Sequence, residues 1–205
     1  ASRITILNGG EGIDDTNWES EFARTISAKM SIFYDFCIEN YGKGVSDKKS
    51  IDDWFESEIN SIIKEATGYM EETSFRAAIQ KIFFDFQRAT KWYMKRSNNK
   101  PNKDLLAKAI QSQIIMLSPF IPHLCEEIWE KIGKDYLVSL ADWPEFEETK
   151  ISRSANFAEL FVQDTIDDIK EVLKILKMDK PNKFKLFISP KWKYDLYLEL
   201  SELLK

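Results

Sequence analysis

An antiparallel bundle of α-helices followed by a small α+β module is the fold class this sequence predicts, so the chain is expected to be mainly α. Three observations carry that expectation. Apolar residues recur at steps of three and four through most of the first 130 positions. Only 7 Gly and 6 Pro punctuate the 205 residues, and most fall between the periodic stretches. After Gly133 the texture changes to a short mixed link, one more amphipathic stretch and an alternating FKLFIS segment. The expected division is a bundle over residues 1–150 and the start of an α+β extension over 151–205. A lone strand needs a partner, so that extension is expected to be truncated.

Residues 1–15 read as a short extended segment, RITIL, and a Gly-rich turn, NGGEGIDD. No Lys-Ser/Thr follows these glycines, so they form no phosphate cradle. Thr16 and Glu19 have capping-box spacing, and Trp18, Phe22, Ile26, Met30, Phe33, Cys37 and Tyr41 then mark a helix ending near Gly42. GKGVSDKK is a loop. Ser50 opens a second helix with Asp52 and Asp53 in its first turn, and Trp54, Phe55, Ile59, Ile62, Ile63, Ala66, Tyr69 and Met70 on its apolar face.

A third helix is expected over residues 74–96, with Phe75, Ile79, Ile82, Phe83, Phe86 and Tyr93 inward, ended by SNNKPN. A fourth runs over 103–117 into a corner, LSPFIPHLCEEIW, where Ser118 is the expected N-cap and Pro119 and Pro122 suit the start of a fifth helix. Ile121, Leu124, Ile128 and Trp129 should anchor that helix. Short connections between helices of this length predict antiparallel neighbours. Beyond the DYLVSLADWPEF link, Ser154 should cap a helix that buries Phe157, Leu160, Phe161, Ile166, Ile169, Val172, Leu173 and Leu176. Pro181 and Asn182 separate it from FKLFIS, and Pro190 starts a final helix.

Cys37 and Cys125 lie far apart on apolar faces, the pattern of buried free thiols in a reducing cytosol. No apolar run is long enough to span a bilayer, and Ala1 in place of Met points to a piece of a longer protein. The formal charge of −5 is unevenly spread. Residues 76–108 hold nine basic and two acidic side chains, and residues 170–193 hold eight and two. Two basic islands in an acidic chain give one face that can attract a polyanion.

Catalytic patterns are absent. His123 and Glu126 share a helix face, yet a di-iron bundle needs two Glu-x-x-His pairs with further Glu, and this chain has 1 His. No Ser-His-Asp, Cys-His or zinc-spaced set occurs. Whether the chain acts as an enzyme is left open by the residues alone; a carboxylate-bridged metal bundle and a protein-docking bundle are the competing classes. The third helix carries the stronger signal. Lys81, Arg88, Lys91 and Lys95 fall at offsets of one helical stripe, extended by Arg76, Arg96, Lys100 and Lys103. Such a stripe can follow a phosphate backbone and gain by counterion release.

LSPFIPHLCEEIW resembles the closing signature L-x-P-F-x-P-H-x-x-E-E-x-W in the helical anticodon-binding domain of the leucine, isoleucine and valine class I aminoacyl-tRNA synthetases. Asp53-Trp54, Trp92-Tyr93 followed by Lys95-Arg96, and Trp143-Pro144 match further motifs of that group in the same order. FRAAIQ, SLADWPE and PKWKYDL make the archaeal/eukaryal leucyl type the most similar, while Ser2 and Thr5 depart from its pattern. The resemblance implies a C-terminal, tRNA-holding fragment of a cytoplasmic ligase, with catalytic and editing domains elsewhere in the same chain. The HIGH signature is missing. SAKMS lies within an amphipathic helix, so it is no KMSKS loop. ATP and Mg are therefore expected of the parent enzyme and no cofactor of this fragment. The resemblance further implies leucine tRNA as partner and no membrane. The expected contacts are Arg76, Lys81, Arg88, Lys91, Lys95 and Arg96, with Lys183, Lys185, Lys191 and Lys193 in the second island. An isoleucyl or valyl domain reading anticodon bases is the nearest alternative.

Overall fold

The computed structural model describes residues 1–10, 18–178, 183, 185–194 and 196. They contain eight α-helices: α1 Ser2–Gly9, α2 Ser20–Asn40, α3 Ser50–Glu71, α4 Phe75–Ile79, α5 Phe86–Arg96, α6 Lys103–Leu117, α7 Pro122–Lys131 and α8 Arg153–Ile175. A π-helical segment, Gln80–Asp85, joins α4 to α5, and two 3-10 turns, Val138–Leu140 and Glu148–Lys150, punctuate the link to α8. No strand forms among the described residues. No helix among them is long and apolar enough to cross a membrane.

The periodic stretches fold as their spacing dictates. Ile26, Met30, Phe33 and Cys37 bury one face of α2, and Met30 takes the SAKMS sequence inward. Trp54, Phe55, Ile59, Ile62, Ile63 and Ala66 bury the face of α3, which packs on α4, the π segment and α5. Trp129, Tyr93, Phe55, Phe83 and Phe86 are the largest fully enclosed side chains, each contributing about 1.5–3 kcal/mol by leaving water. Phe55 and Tyr93 stack with centroids 4.0 Å apart. α6 starts where the sequence places it because the Asn102 Oδ1 accepts from the Asp104 and Leu105 N–H groups at 3.1 and 3.0 Å.

Several expectations are corrected. RITIL is helical, not extended: Ile4 and Thr5 are buried where α1 packs on α2 and α4, and that burial overrides the strand preference of its β-branched residues. The third helix runs unbroken over residues 75–96, as expected, but changes pitch where Gln80–Asp85 is π-helical. Buried Gln113 of α6 donates Nε2 to the Ile82 carbonyl at 2.9 Å, and the Phe86 N–H reaches back five residues to Lys81, widening the turn. Phe75 is 37% exposed, meeting Phe120 edge-on. Ser118 ends α6 rather than capping the next helix: its Oγ donates to the Ile115 carbonyl at 2.8 Å, and α7 opens at Pro122 behind Ile121. Trp18 is exposed, its Nε1 donating to Ser20 Oγ at 3.1 Å. Thr16 and most of NGGEGIDD lie outside the described residues.

The corner anchors as expected, with Ile121, Ile128 and Trp129 buried and Leu124 half-buried. Glu126 fixes the link that follows, its Oε2 accepting from the Val138 N–H at 2.7 Å and its Oε1 from Ser139 at 3.2 Å. The link then runs along α3: Trp143 Nε1 donates to Thr67 Oγ1 at 2.9 Å, Glu147 N–H to Asn60 Oδ1 at 2.7 Å, and Ser152 N–H to Ser57 Oγ at 2.8 Å.

The chain divides into two compact units, Ala1–Leu160 and Phe161–Lys205. At the start of α8 it is the Ser152 hydroxyl, not Ser154, that accepts from the Ala155 N–H, at 3.2 Å. The face of α8 expected to be buried is largely exposed: Phe157, Leu160, Phe161, Val172 and Leu176 all present themselves to solvent, and the buried side chain is Glu159. In the second unit residues 185–189 take no regular structure, so the FKLFIS strand does not form there, and Phe184 is outside the described residues. Residues 191–194 begin a helical turn after Pro190, as read from the sequence.

Candidate nucleic-acid interface

Of the basic side chains predicted to share one stripe, the π segment and a set of carboxylates leave only part available. Lys81 is drawn to α3, 2.6 Å from Glu65, and also lies 3.4 Å from Asp85. Burial alone would lower its affinity for a proton, but the Glu65 hydrogen bond and the Glu65 and Asp85 charges outweigh it, so its pKa is raised. Arg88 pairs with Asp85 while remaining exposed. Arg96 is spent on structure: its Nε donates to Glu159 Oε1 at 2.6 Å and Nη2 to Oε2 at 3.4 Å, while Trp92 Nε1 donates to the same Oε1 at 2.7 Å. The buried Glu159 thereby ties α8 to α5, the kind of charge-assisted fork that is costly to leave half made. Arg76, exposed on α4, lies at the other end of this helical run.

Lys91 and Lys95 differ. Both are exposed on α5, Lys91 forms no ion pair among the described residues, and Lys95 lies over the Trp92 ring at 5.4 Å. They are the parts of the stripe that a polyanion could reach without first displacing a carboxylate. In the second unit Lys183, Lys185, Lys191 and Lys193 are exposed, Lys193 lying 5.7 Å from the Trp192 ring centroid.

The face beside Lys81 contains an acid under strain. Burial raises the pKa of Glu58, with the Glu65 and Asp85 charges acting in the same direction and Lys81 and Arg88 opposing. A carboxyl whose folded pKa exceeds its ordinary 4.5 destabilises the fold above that range, and the penalty fades as both states become protonated in acid. Glu58→Gln should therefore raise the urea midpoint at pH 7, with the gain vanishing below about pH 4; an equal gain at both pH values would contradict this origin.

His123 is exposed at the rim of an open cleft of about 660 Å³ that also meets Arg3, Tyr34, Asp35 and Glu127, where the Tyr34 hydroxyl donates to Glu127 Oε1 at 3.1 Å. Cys37 and Cys125 are buried free thiols, and burial raises the pKa of both, which keeps them unreactive. No group of three or more His, Cys, Asp or Glu among the described residues is arranged to hold a metal ion.

The family model for the anticodon-binding domain of tRNA ligases matches residues 52–195. The chain belongs to that family. The anticodon-binding domain is 36% identical over 191 residues to the leucine–tRNA ligase of Aeropyrum pernix, covering 92% of this chain and 20% of the relative. It is 32% identical to that of Methanococcoides burtonii, covering 96% of this chain and 21% of the relative. The domain thus spans about a fifth of the length of these curated relatives. In fold it is similar to a crystal structure of the ternary complex of Agrobacterium radiobacter LeuRS with tRNA and LeuAMS, with TM-score 0.60, 20% identity, and coverage of 73% of this chain and 20% of that one.

Sequence reasoning missed one part of the domain's basic surface. Lys43, Lys48 and Lys49 lie in a region whose overall charge is acidic, and only the fold brings their loop against the one that carries Lys100 and Lys103. The available signal was GKG, a lysine between two glycines in a predicted turn.

Proposed function

We propose that this anticodon-binding domain holds leucine tRNA for a leucine–tRNA ligase, binding and positioning it while other parts of a longer cytoplasmic chain activate leucine, transfer it and edit. The observation that carries the reading is the family match over residues 52–195 together with exposed Lys91 and Lys95 on α5. Lysines at helical rise meet phosphates as point charges, so affinity comes from counterion release and falls steeply with salt, with little base readout. The Trp92 ring under Lys95 restrains that ammonium group on the helix face. The four lysines of the second unit add a further basic segment for the same strand or an adjoining arm.

In this reading the ATP and Mg²⁺ on which a ligase depends are bound elsewhere in the longer chain. SAKMS is locked in α2 with Met30 inward. The domain's own residues bind RNA and do no group transfer in this reading.

The test is competition between transcripts. Leucine tRNA should displace a labelled leucine tRNA from the 205-residue chain more effectively than isoleucine or valine tRNA does, measured by anisotropy at low salt. Preference for isoleucine or valine tRNA would reassign the domain within the group. Absence of binding to any of them would remove the RNA-holding role and favour docking to protein.

A further inference from the structure

The loop between α2 and α3 and the loop between α5 and α6 are fused at one end of the bundle. Val45 N–H donates to the Pro101 carbonyl at 2.8 Å and Lys103 N–H to the Val45 carbonyl at 2.9 Å, a short parallel bridge between segments over 50 residues apart. Lys49 Nζ adds a tie to the Lys100 carbonyl at 2.7 Å. Gly44 permits this approach: its φ is +138°, and a Cβ there would sit 2.4 Å from the Pro101 oxygen. Below the loops, the Tyr93 hydroxyl donates to Asp52 Oδ1 at 2.6 Å and accepts from Asn102 N–H at 2.8 Å. The other oxygen of Asp52 accepts from Lys49 N–H at 2.8 Å, so one buried carboxylate braces both loops. Asn98 and Asn99 both take left-handed φ, 54° and 55°, and close the end of α5, the Asn99 N–H donating to the Met94 carbonyl at 2.8 Å.

The charge left on this braced end is positive. Lys43, Lys100 and Lys103 are exposed, and their ammonium groups make no ion pair among the described residues. Of the acids nearby, Asp52 is buried in the brace and Asp53 is taken by Lys48 at 2.6 Å, leaving Asp47 and Asp104 exposed. The end continues directly from α5, whose last turn carries Lys95 and Arg96, with Lys91 one turn earlier.

We propose that the fused loops form a second phosphate-contacting surface, in which Lys43, Lys100 and Lys103 grip an RNA backbone already engaged by α5. Lys49, Gly44 and the Asp52–Tyr93 pair position it. This rests on the RNA-holding reading above and adds to it a loop from the acidic part of the sequence. Three lysines on a preformed end act together because their backbone is fixed before the RNA arrives, whereas lysines on separate mobile loops would have to become ordered on binding and lose conformational freedom.

The test uses the 205-residue chain and a leucine tRNA transcript, with Kd read by anisotropy from about 50 to 300 mM KCl. The K43A/K100A/K103A variant should bind about tenfold more weakly at about 100 mM, and the slope of log affinity on log salt should shrink by about 2 to 3, at roughly 0.9 for each phosphate that is no longer neutralised. The K43R/K100R/K103R variant should keep both. An alanine triple variant with unchanged slope, beside a K91E/K95E variant that binds poorly, would overturn the loop surface and leave the α5 reading intact. If the unmodified chain does not bind at about 50 mM, both fall together.

Discussion

Charge reversal at Lys91 and Lys95 should weaken leucine tRNA binding by about 10- to 100-fold at about 50 mM salt, an effect that shrinks as salt rises. These two side chains are chosen because no carboxylate among the described residues pairs with them, in contrast to Lys81 and Arg96, which are held by Glu65 and Glu159. The same substitution at Lys81 should alter the local ion pairs more than the RNA. Anisotropy with both variants, alongside circular dichroism to confirm retained helicity, separates the two kinds of lysine. An equal loss from the Lys81 variant would mean that the predicted stripe survives the π segment after all.

Asp52→Ala should destabilise the bundle by about 3 kcal/mol, a large share of the roughly 5–15 kcal/mol that holds a domain of this kind together. Two contributions add. The buried Tyr93 hydroxyl loses the acceptor of its proton, which costs about 1–3 kcal/mol, and the first turn of α3 loses the carboxylate that accepts from Lys49 N–H, about 1 kcal/mol more. Burial raises the Tyr93 pKa, reinforced by Asp52, so the phenol stays protonated and depends on that acceptor through neutral pH. Urea denaturation followed by tryptophan fluorescence measures the loss. A change under about 0.5 kcal/mol would show that the brace contributes little.

How much of this could be read from the residues alone divides by the range of the interaction. α6 was legible to its ends because its signals are local: the SNNKPN break before it and the Pro-x-x-Pro corner after it. α2 and α3 were legible for the same reason. The Pro-x-x-Pro corner was recognisable as a motif of the leucine, isoleucine and valine group, but Ser118 was assigned to the wrong helix because a serine can serve either end, and only packing decides. The π segment coincides with a hydrogen bond from Gln113, some thirty residues away, to the Ile82 carbonyl, and no local signal announces it. The pairing of Arg96 with Glu159 is equally non-local, and no signal in the sequence announces it. α8 shows the opposite failure: its amphipathic pattern was read correctly, and its apolar face is nonetheless exposed. Periodicity reports that a face is apolar, not that something covers it. The loop lysines were hidden by averaging charge along the sequence, when the fold adds charge across it.

The central claim, that this domain holds tRNA through phosphate contacts, meets its most direct test in a salt titration of the unmodified chain with leucine tRNA. Log affinity should fall linearly with log salt concentration, with a slope of about −3 to −5 if α5 and the fused loops together meet four or five phosphates. A flat line, or no binding at about 50 mM, would contradict it.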